Sequence, residues 1–350
     1  MNNQYGIIMA GGIGSRFWPE STAEMPKQFL DLLGTGKSFI QQTFERLQKL
    51  IPADQIYILT NERYRDLIRG QLPQISDNQI IAEPVMRNTA PAVLYAAKKI
   101  HQLNPEANLL VAPSDHYIAD EDKFINNVQT AFEATAQRDI LMTLGIVPHS
   151  PNTGYGYIQY DKNTDEPIKK VLKFTEKPDL QAAVKFLNEG NYLWNAGIFI
   201  WRTASILKAF ETYLPEMYQR MSTGDTLYNT EKEPEFIAEV FPQLQNISID
   251  YGILEKADNV YVLPADFVWN DLGAWNAIYE QLKPANQDNI VINSELLADN
   301  SKGNLVKTNG KKVVLKDLQD YIVVDSASTL MIIPRKDDQK VKDYARKFKS

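Results

Sequence analysis

The sequence predicts an α/β protein: a large domain over residues 1–283 with a mostly parallel central sheet, then a small domain over residues 284–350 made of short strands and a terminal helix. Three observations predict it. Short apolar runs alternate with longer helical patterns through the first 150 residues, which is the punctuation of βαβ units. Residues 283–288 turn polar and Pro-containing, and beyond them brief Val/Ile/Leu runs recur between turn residues. A chain of 350 residues with 44% hydrophobic and 23% charged side chains is long enough to bury one sizeable core and a modest addition.

The first five strands are expected at residues 5–9, 55–59, 79–82, 109–112 and 140–144. Between the first two, Ile40, Phe44, Leu47 and Ile51 recur at helical spacing, and Ser38 with Gln41 forms a capping box that starts the helix near Ser38. A second helix is expected over residues 89–103, with Asn88 or Thr89 as its cap and Pro91 tolerable only in its first turn. From about Pro148 the same domain continues with Gly- and Tyr-rich strand-like segments, a helix near 180–188 and a buried strand at 197–201. The small domain has strand-like runs at 290–292, 305–306, 313–315, 322–324 and 330–333. Val341, Tyr344, Ala345 and Phe348 then mark one face of a terminal helix whose other face is basic. It reads as a docking helix rather than a membrane binder, because one short helix buries little area.

Composition removes several classes of function. No run approaches the roughly 20 apolar residues that cross a bilayer, and apolar residues 7–10 are too short for a secretory signal, so the protein is expected to be soluble and cytoplasmic. There is no cysteine, which excludes disulfides, thiolate nucleophiles and cysteine-bound zinc. A net charge of -7 and a pI near 5.2 argue against binding long nucleic acids. Three scattered histidines, His101, His116 and His149, do not build a metal site, so any metal should be hard and oxygen-ligated.

An acidic protein that binds a small anion needs a local cationic pocket, and one follows the first strand. The run Gly11-Gly12-Ile13-Gly14-Ser15-Arg16 and the later Lys27 combine backbone N–H groups free to approach phosphate with a forked guanidinium and a mobile point charge. A dinucleotide fingerprint would need glycine where Phe17 stands, and a Walker A loop ending in Gly36-Lys37-Ser38 would need glycine where Asp31 stands. Both are rejected, and GTGKS is read as a turn and helix cap.

The run GGIGSRFWPES followed by PKQFLDL resembles the signature of the mannose-1-phosphate guanylyltransferases within the nucleotide-sugar pyrophosphorylase superfamily. Further segments resemble that family in order: AEPVMRNTAPA, PSDHYI, GYGYI, FTEKP, WNAGIF, SIDYGILEK and WNDLGAW. The resemblance implies a Rossmann-like GT-A type nucleotidyltransferase domain and a small β-helix-like C-terminal piece. The implied reaction joins GTP and mannose 1-phosphate to give GDP-mannose and diphosphate, with magnesium or another divalent cation such as manganese. It further implies a homodimer formed through the C-terminal domain.

The implied site follows residue by residue. Arg16, Lys27, Asp115 and Asp271 would be catalytic, with Asp115 and Asp271 holding the metal, since two carboxylates plus phosphate oxygens and water suit magnesium. Asp115 lies just past a strand end, where parallel sheets place ligand residues, and His116 reads as a supporting neighbour. The nucleotide would meet Gly11, Gly12, Gly14, Ser15, Arg16, Lys27, Glu83, Arg87, Asn88 and Thr89. Guanine presents adjacent N1–H and N2–H donors that a carboxylate such as Glu83 can accept. Arg87 reads equally well as half of a surface salt bridge. Gly154, Glu176, Lys177 and Asn195 would bind the sugar phosphate, and Asp250, by itself a turn or cap residue, is held in reserve.

The attacking sugar phosphate is already ionised at neutral pH, its second pKa being about 6, so no general base is needed. The protein's task is to neutralise and align two anions. Alternatives are a transferase for glucose 1-phosphate or another nucleotide, a silent GDP-mannose-binding regulatory relative, and a GT-A glycosyltransferase. Retention of Arg16, Lys27, Asp115 and Asp271 favours an active enzyme. Some relatives carry a phosphomannose isomerase barrel, and the roughly 65 residues after Lys283 are too few for one, so isomerase activity is expected to be absent.

Overall fold

The computed structural model describes residues 3–12, 14–283 and 289–348. Ile13 of the glycine run and most of the expected break at 283–288 lie outside the described residues. Two compact units emerge: Met1–Gly11 with Phe44–Pro113 and Ile118–Trp269, and Gly12–Thr43 with Ser114–Tyr117 and Asn270–Ser350. This grouping cuts the chain differently from a linear division at 283, because the glycine loop and the segment after the fourth strand are gathered with the C-terminal residues.

Among the described residues, the main sheet of the first unit is built from β1 (Gln4–Ala10), β2 (Ile56–Asn61), β3 (Ile80–Glu83), β4 (Asn108–Pro113), β5 (Leu141–Ile146), β6 (Tyr157–Tyr160), β7 (Lys169–Thr175), β8 (Tyr192–Arg202) and β9 (Val260–Pro264). They lie in the order β3-β2-β1-β4-β8-β5-β9-β7-β6. All six residues of β2 are buried, as expected of a parallel strand covered on both faces. The expected mostly parallel sheet is corrected to a mixed one. β1 to β4 run parallel, as does the pair β5–β9, but β8 runs antiparallel to β4, β5 and β6. Apolar runs report that a strand is buried, not which way it points. The run predicted at 197–201 is the second half of the eleven-residue β8.

The helix over Thr89–Leu103 begins where its cap predicts. Asn88 takes a left-handed φ of 67° and its side chain accepts from the Thr89 amide. Its buried face, with Val93, Ala96, Ala97 and Ile100, packs in the same core as Leu109, Phe210 and Phe241. Lys98 and Lys99 reach Asp225 at 2.8 Å and Glu233 at 2.6 Å, so both buried ammonium groups are paired.

In the second unit GTGKS is a turn, as predicted: the Asp31 carboxylate accepts from the amides of Thr35 and Gly36, and Ser38 meets Gln41 as the following helix begins at Phe39. The C-terminal strands are β10 (Ile290–Ile292), β11 (Glu295–Asp299), β12 (Leu305–Lys307), β13 (Lys312–Lys316), β14 (Tyr321–Asp325) and β15 (Leu330–Pro334). β10, β12 and β14 stack in parallel register, Ile290 beside Leu305 beside Ile322, and β15 closes the sheet antiparallel. β11 and β13 form a second parallel pair. β11 has no counterpart in the sequence reading, because only Leu296 of its five residues turns inward, toward Val306, Leu315 and Val323.

The other face of the four-stranded sheet, with Leu305, Ile322 and Met331, packs on Trp275, Ile278 and Tyr279 of the helix over Trp275–Leu282. The terminal helix, Val341–Lys347, buries Val341 and Ala345. Phe348 departs from the expected buried face: it is 77% exposed and stacks its ring on Trp18 at 5.5 Å. Among the described residues no helix is long and apolar enough to cross a membrane.

Candidate active site

The candidate residues divide between the two units. In the second, Gly14 has a φ of 64°, and a Cβ placed there would stand 2.4 Å from the Cβ of Lys27. Glycine thus lets the turn lie directly on the lysine. The Lys27 side chain is 4% exposed and its ammonium sits 3.1 Å from Asp115 Oδ2. It also donates to the carbonyls of Asp115 at 2.9 Å and Asp271 at 2.7 Å. An ammonium has three N–H donors, and all three have protein acceptors. The rings of Phe17 and Phe39 flank it at 5.4 and 5.2 Å. Lys27 is therefore a fixed brace between the two aspartate segments, where the sequence suggested a mobile charge for phosphate.

Burial disfavours the charged form of Asp115, but Lys27 and His116 outweigh it and hold the carboxyl below its ordinary range. Thr43 donates to the Ser114 carbonyl at 3.1 Å and fixes the segment. At Asp271 the chain turns sharply: Leu272 adopts a φ of 45° and its amide donates to Asn270 Oδ1 at 2.7 Å. Gly273 comes next, where a Cβ would lie 3.2 Å from Asp271 Oδ2 and 3.5 Å from Arg16 Nη1. Arg16 donates to the Gly273 carbonyl at 3.2 Å and otherwise stands exposed, as do Gly12 and Ser15. One exposed guanidinium and two carboxylate segments joined by a buried ammonium make up this group. Among the described residues no set of three or more acidic or His side chains could hold a metal. The donor set that remains, two carboxylates, suits a hard cation that would take its other ligands from phosphate oxygens and water.

In the first unit Glu83 ends β3. The residue is 5% exposed, its Oε1 has no hydrogen-bond partner among the described residues, and burial pushes its carboxyl up to about 8. A Cβ on Gly11 would lie 3.8 Å from Glu83 Oε2, so the first glycine of the run faces this acid. Asn61 donates to the Glu83 carbonyl at 3.0 Å. Asn88 and Thr89 are committed to backbone, Asn88 to the helix start and the Thr89 hydroxyl to the Ile249 amide at 2.9 Å. Arg87 donates to the Pro242 carbonyl through Nη2, while its buried Nε has no partner among the described residues, so it is no surface salt bridge.

The sugar-side residues Glu176, Lys177 and Asn195 converge. Lys177 Nζ lies 2.5 Å from Glu176 Oε1. Asn195 donates to Asp250 Oδ1 at 3.0 Å, and its Oδ1 accepts from Thr143 and from the Gly197 amide. Asp250 belongs to the cluster, and burial followed by the Glu176 charge pushes its carboxyl up to about 6. Gly154 stands apart in an exposed loop, its amide donating to Asn152 Oδ1 at 2.8 Å. Gly156 and Thr143 join this group without being candidates from the sequence. Gly156 was legible as the second glycine of GYGYI, and a Cβ there would fall 2.4 Å from Glu176 Oε2. Thr143 carries no signal, since it lies in a run of buried strand residues.

Residues 5–288 match the family model described as Nucleotidyl transferase. The mannose-1-phosphate guanylyltransferase of Sinorhizobium fredii (strain NBRC 101917 / NGR234) is 35% identical over 331 residues, covering 93% of this chain and 64% of that protein. That of Salmonella muenchen is 35% identical over 350 residues, covering 97% and 73%. The chain thus spans 64% and 73% of the length of these two relatives. A crystal structure from Thermus thermophilus, described as a mannose-1-phosphate geranyltransferase, superimposes with a TM-score of 0.90 at 28% identity over the whole of both chains. With a family model matched over most of its length and relatives above 30% identity, this chain belongs to the Nucleotidyl transferase family, among the mannose-1-phosphate guanylyltransferases.

Proposed function

We propose that the chain is an enzyme that transfers the guanylyl group of GTP to mannose 1-phosphate, giving GDP-mannose and diphosphate. The observation that carries this reading is the Lys27 brace, which ties Asp115 and Asp271 to one ammonium beside the Gly14 turn and Arg16. A phosphate oxygen of the sugar phosphate forms a bond to the α-phosphorus as the bond to the diphosphate oxygen breaks, and diphosphate leaves with that electron pair. The exposed guanidinium of Arg16 meets charge on the nucleotide phosphates. Asp115 and Asp271 would hold a magnesium or manganese ion, which when bound neutralises phosphate charge and orients oxygens. Glu83 accepts from N1–H and N2–H of guanine, and its buried oxygen, partnerless among the described residues, supports that role. Glu176, Asn195 and Asp250 bind sugar hydroxyls, and Lys177 meets the sugar phosphate.

Parallel stacking of β10, β12 and β14 supports a β-helix-like C-terminal domain beginning near residue 284, after a GT-A type catalytic domain. The exposed, register-paired Leu297 and Val314 on β11 and β13 support a homodimer through that domain. A cytoplasmic setting agrees with the absence of cysteine. The test is to incubate the protein with magnesium, mannose 1-phosphate or glucose 1-phosphate, and each of GTP, ATP and UTP, and to measure diphosphate. GTP with mannose 1-phosphate should give the highest kcat/KM, and no diphosphate from any pair would reject the enzyme.

A further inference from the structure

We propose that the C-terminal strands and terminal helix are the mould that holds Arg16 in place, with Glu20, Lys307 and Phe348 as positioning residues. Lys307, the last residue of β12, is 3% exposed and pairs with Glu20 at 3.1 Å, itself only 12% exposed. Glu20 lies four positions after Arg16, at the end of the turn that carries the guanidinium. Taking two charges out of water is costly, so a buried pair of this kind is a poor source of stability; here its two ends join β12 to the turn that carries Arg16. Its register on β12 is set by Ile292 on one side and Val324 on the other, so the lysine has little freedom to wander.

Further contacts act on the same short segment. Trp275 Nε1 donates to the Trp18 carbonyl at 3.1 Å, and its indole meets the Phe17 ring edge-on at 5.2 Å. The exposed Phe348 stacks on Trp18 at 5.5 Å and 21°. Asp338 accepts from the Asn276 amide at 3.3 Å and lies close enough to Arg16 to feel its charge. Among the described residues the Gly273 carbonyl is the acceptor that the Arg16 guanidinium reaches, so the position of the guanidinium depends on the backbone beneath it. That backbone is a single 3-10 turn, Ser15–Phe17, closed by Phe17 N to Gly14 O and followed by Ser21 N to Phe17 O. So short a turn does not hold itself, and segments more than 250 residues away in sequence clamp it on both sides.

The catalytic half of this inference rests on the reading that Arg16 acts on the nucleotide. Hydrogen exchange over residues 14–21 and a double-mutant cycle with Arg16 keep the two apart. Lys307→Met and Phe348→Ala should raise exchange at the Phe17 and Ser21 amides while β1 to β4 stay protected. Lys307→Met should lower kcat by about ten- to a hundredfold, with the KM for mannose 1-phosphate unchanged and Lys307→Arg restoring most of the rate. In an Arg16→Ala background, Lys307→Met should have no further effect on kcat. If Lys307→Met fails to fold, Glu20→Gln/Lys307→Met removes both charges and Phe348→Ala leaves the pair intact, and the same loss of protection is expected of each. Unchanged protection of residues 14–21 in every folded variant overturns the proposal, as does an undiminished Lys307→Met effect in the Arg16→Ala background. Lost protection combined with a fully active Arg16→Ala variant supports the mould and rejects instead the role given to Arg16.

Discussion

Lys27 pairs with Asp115 at 3.1 Å while the same ammonium binds the Asp271 carbonyl at 2.7 Å, so one buried cation joins Asp115 to a residue 244 positions from the lysine in sequence. Replacing Lys27 by Met removes the counter-charge and both tethers. Diphosphate release should fall by at least about 100-fold, and urea unfolding should show a loss of about 3 kcal/mol, the low end for breaking a buried pair, because Asp115 keeps some access to water. Asp115 has a depressed pKa, so its contribution is present above about pH 4 and lost as pH falls through its folded value. The Lys27→Met protein should lack that part of the acid unfolding profile.

Glu83 titrates in the opposite direction. A carboxyl raised to about 8 keeps a proton that the unfolded chain has already released, so it lowers stability progressively as pH rises from about 4.5 to 8. Glu83→Gln should be more stable than the parent at pH 8, by on the order of 4 kcal/mol, and equal to it near pH 4. Because guanine needs the ionised form, the KM for GTP should fall as pH rises toward 8 in the parent and stay flat in Glu83→Gln. A GTP preference unchanged by Glu83→Gln would remove this residue from base selection.

Gly156 leaves the space that the Glu176 carboxylate occupies. Gly156→Ala places a methyl 2.4 Å from Glu176 Oε2 and 3.4 Å from Asn195 Cβ, so the carboxylate must move. The KM for mannose 1-phosphate should rise about tenfold with the KM for GTP unaffected, as initial-rate kinetics would reveal.

Asp250, with its carboxyl raised to about 6, should put an inflection near pH 6 into kcat/KM for mannose 1-phosphate. Since Glu176 is one cause of the shift, Glu176→Gln should move that inflection downward. In stability, the Asp250 contribution is complete below about pH 4 and lost as pH rises through about 6, up to about 3 kcal/mol. Asp250→Asn should flatten both profiles.

Removal of divalent cations by a chelator should abolish diphosphate release, and magnesium should restore it. Asp271→Asn should demand about tenfold or more magnesium for half-maximal rate while folding normally, because Lys27 holds the residue 271 carbonyl rather than its carboxylate.

Helix starts and the parallel strands were readable because local chemistry decides them. Ser38 with Gln41, and Asn88 before Pro91, sit where the structure begins its helices. Strand direction was not readable: β8 is as apolar as its neighbours, and nothing in its side chains records that it runs the other way. β11 was lost because Glu295 and Asp299 face water, and a strand with one inward residue leaves no alternation to detect. Within the candidate site, residue type was legible but occupation was not. Lys27, Asn88 and Thr89 all look free in sequence, and each is spent on a partner 1 to 244 positions away. Gly156 and Asp250 acquire significance through Glu176 and Asn195, neighbours the chain brings from other elements.

The reversed strand β8 also governs how the molecule can be made. During synthesis β1, β2, β3 and β4 can pair as soon as they emerge, all of them running parallel. β4 then keeps an unpaired edge until residues 199–202 arrive, about ninety residues later. At ordinary elongation rates that interval lasts on the order of ten seconds. Throughout it the nascent chain offers other polypeptides a long, apolar, hydrogen-bonding rim. Chains stalled between residues 113 and 199, with the β4 edge open, should therefore need a chaperone more than chains released after residue 202, in which β4 is paired and the β5 edge still awaits residues 260–264.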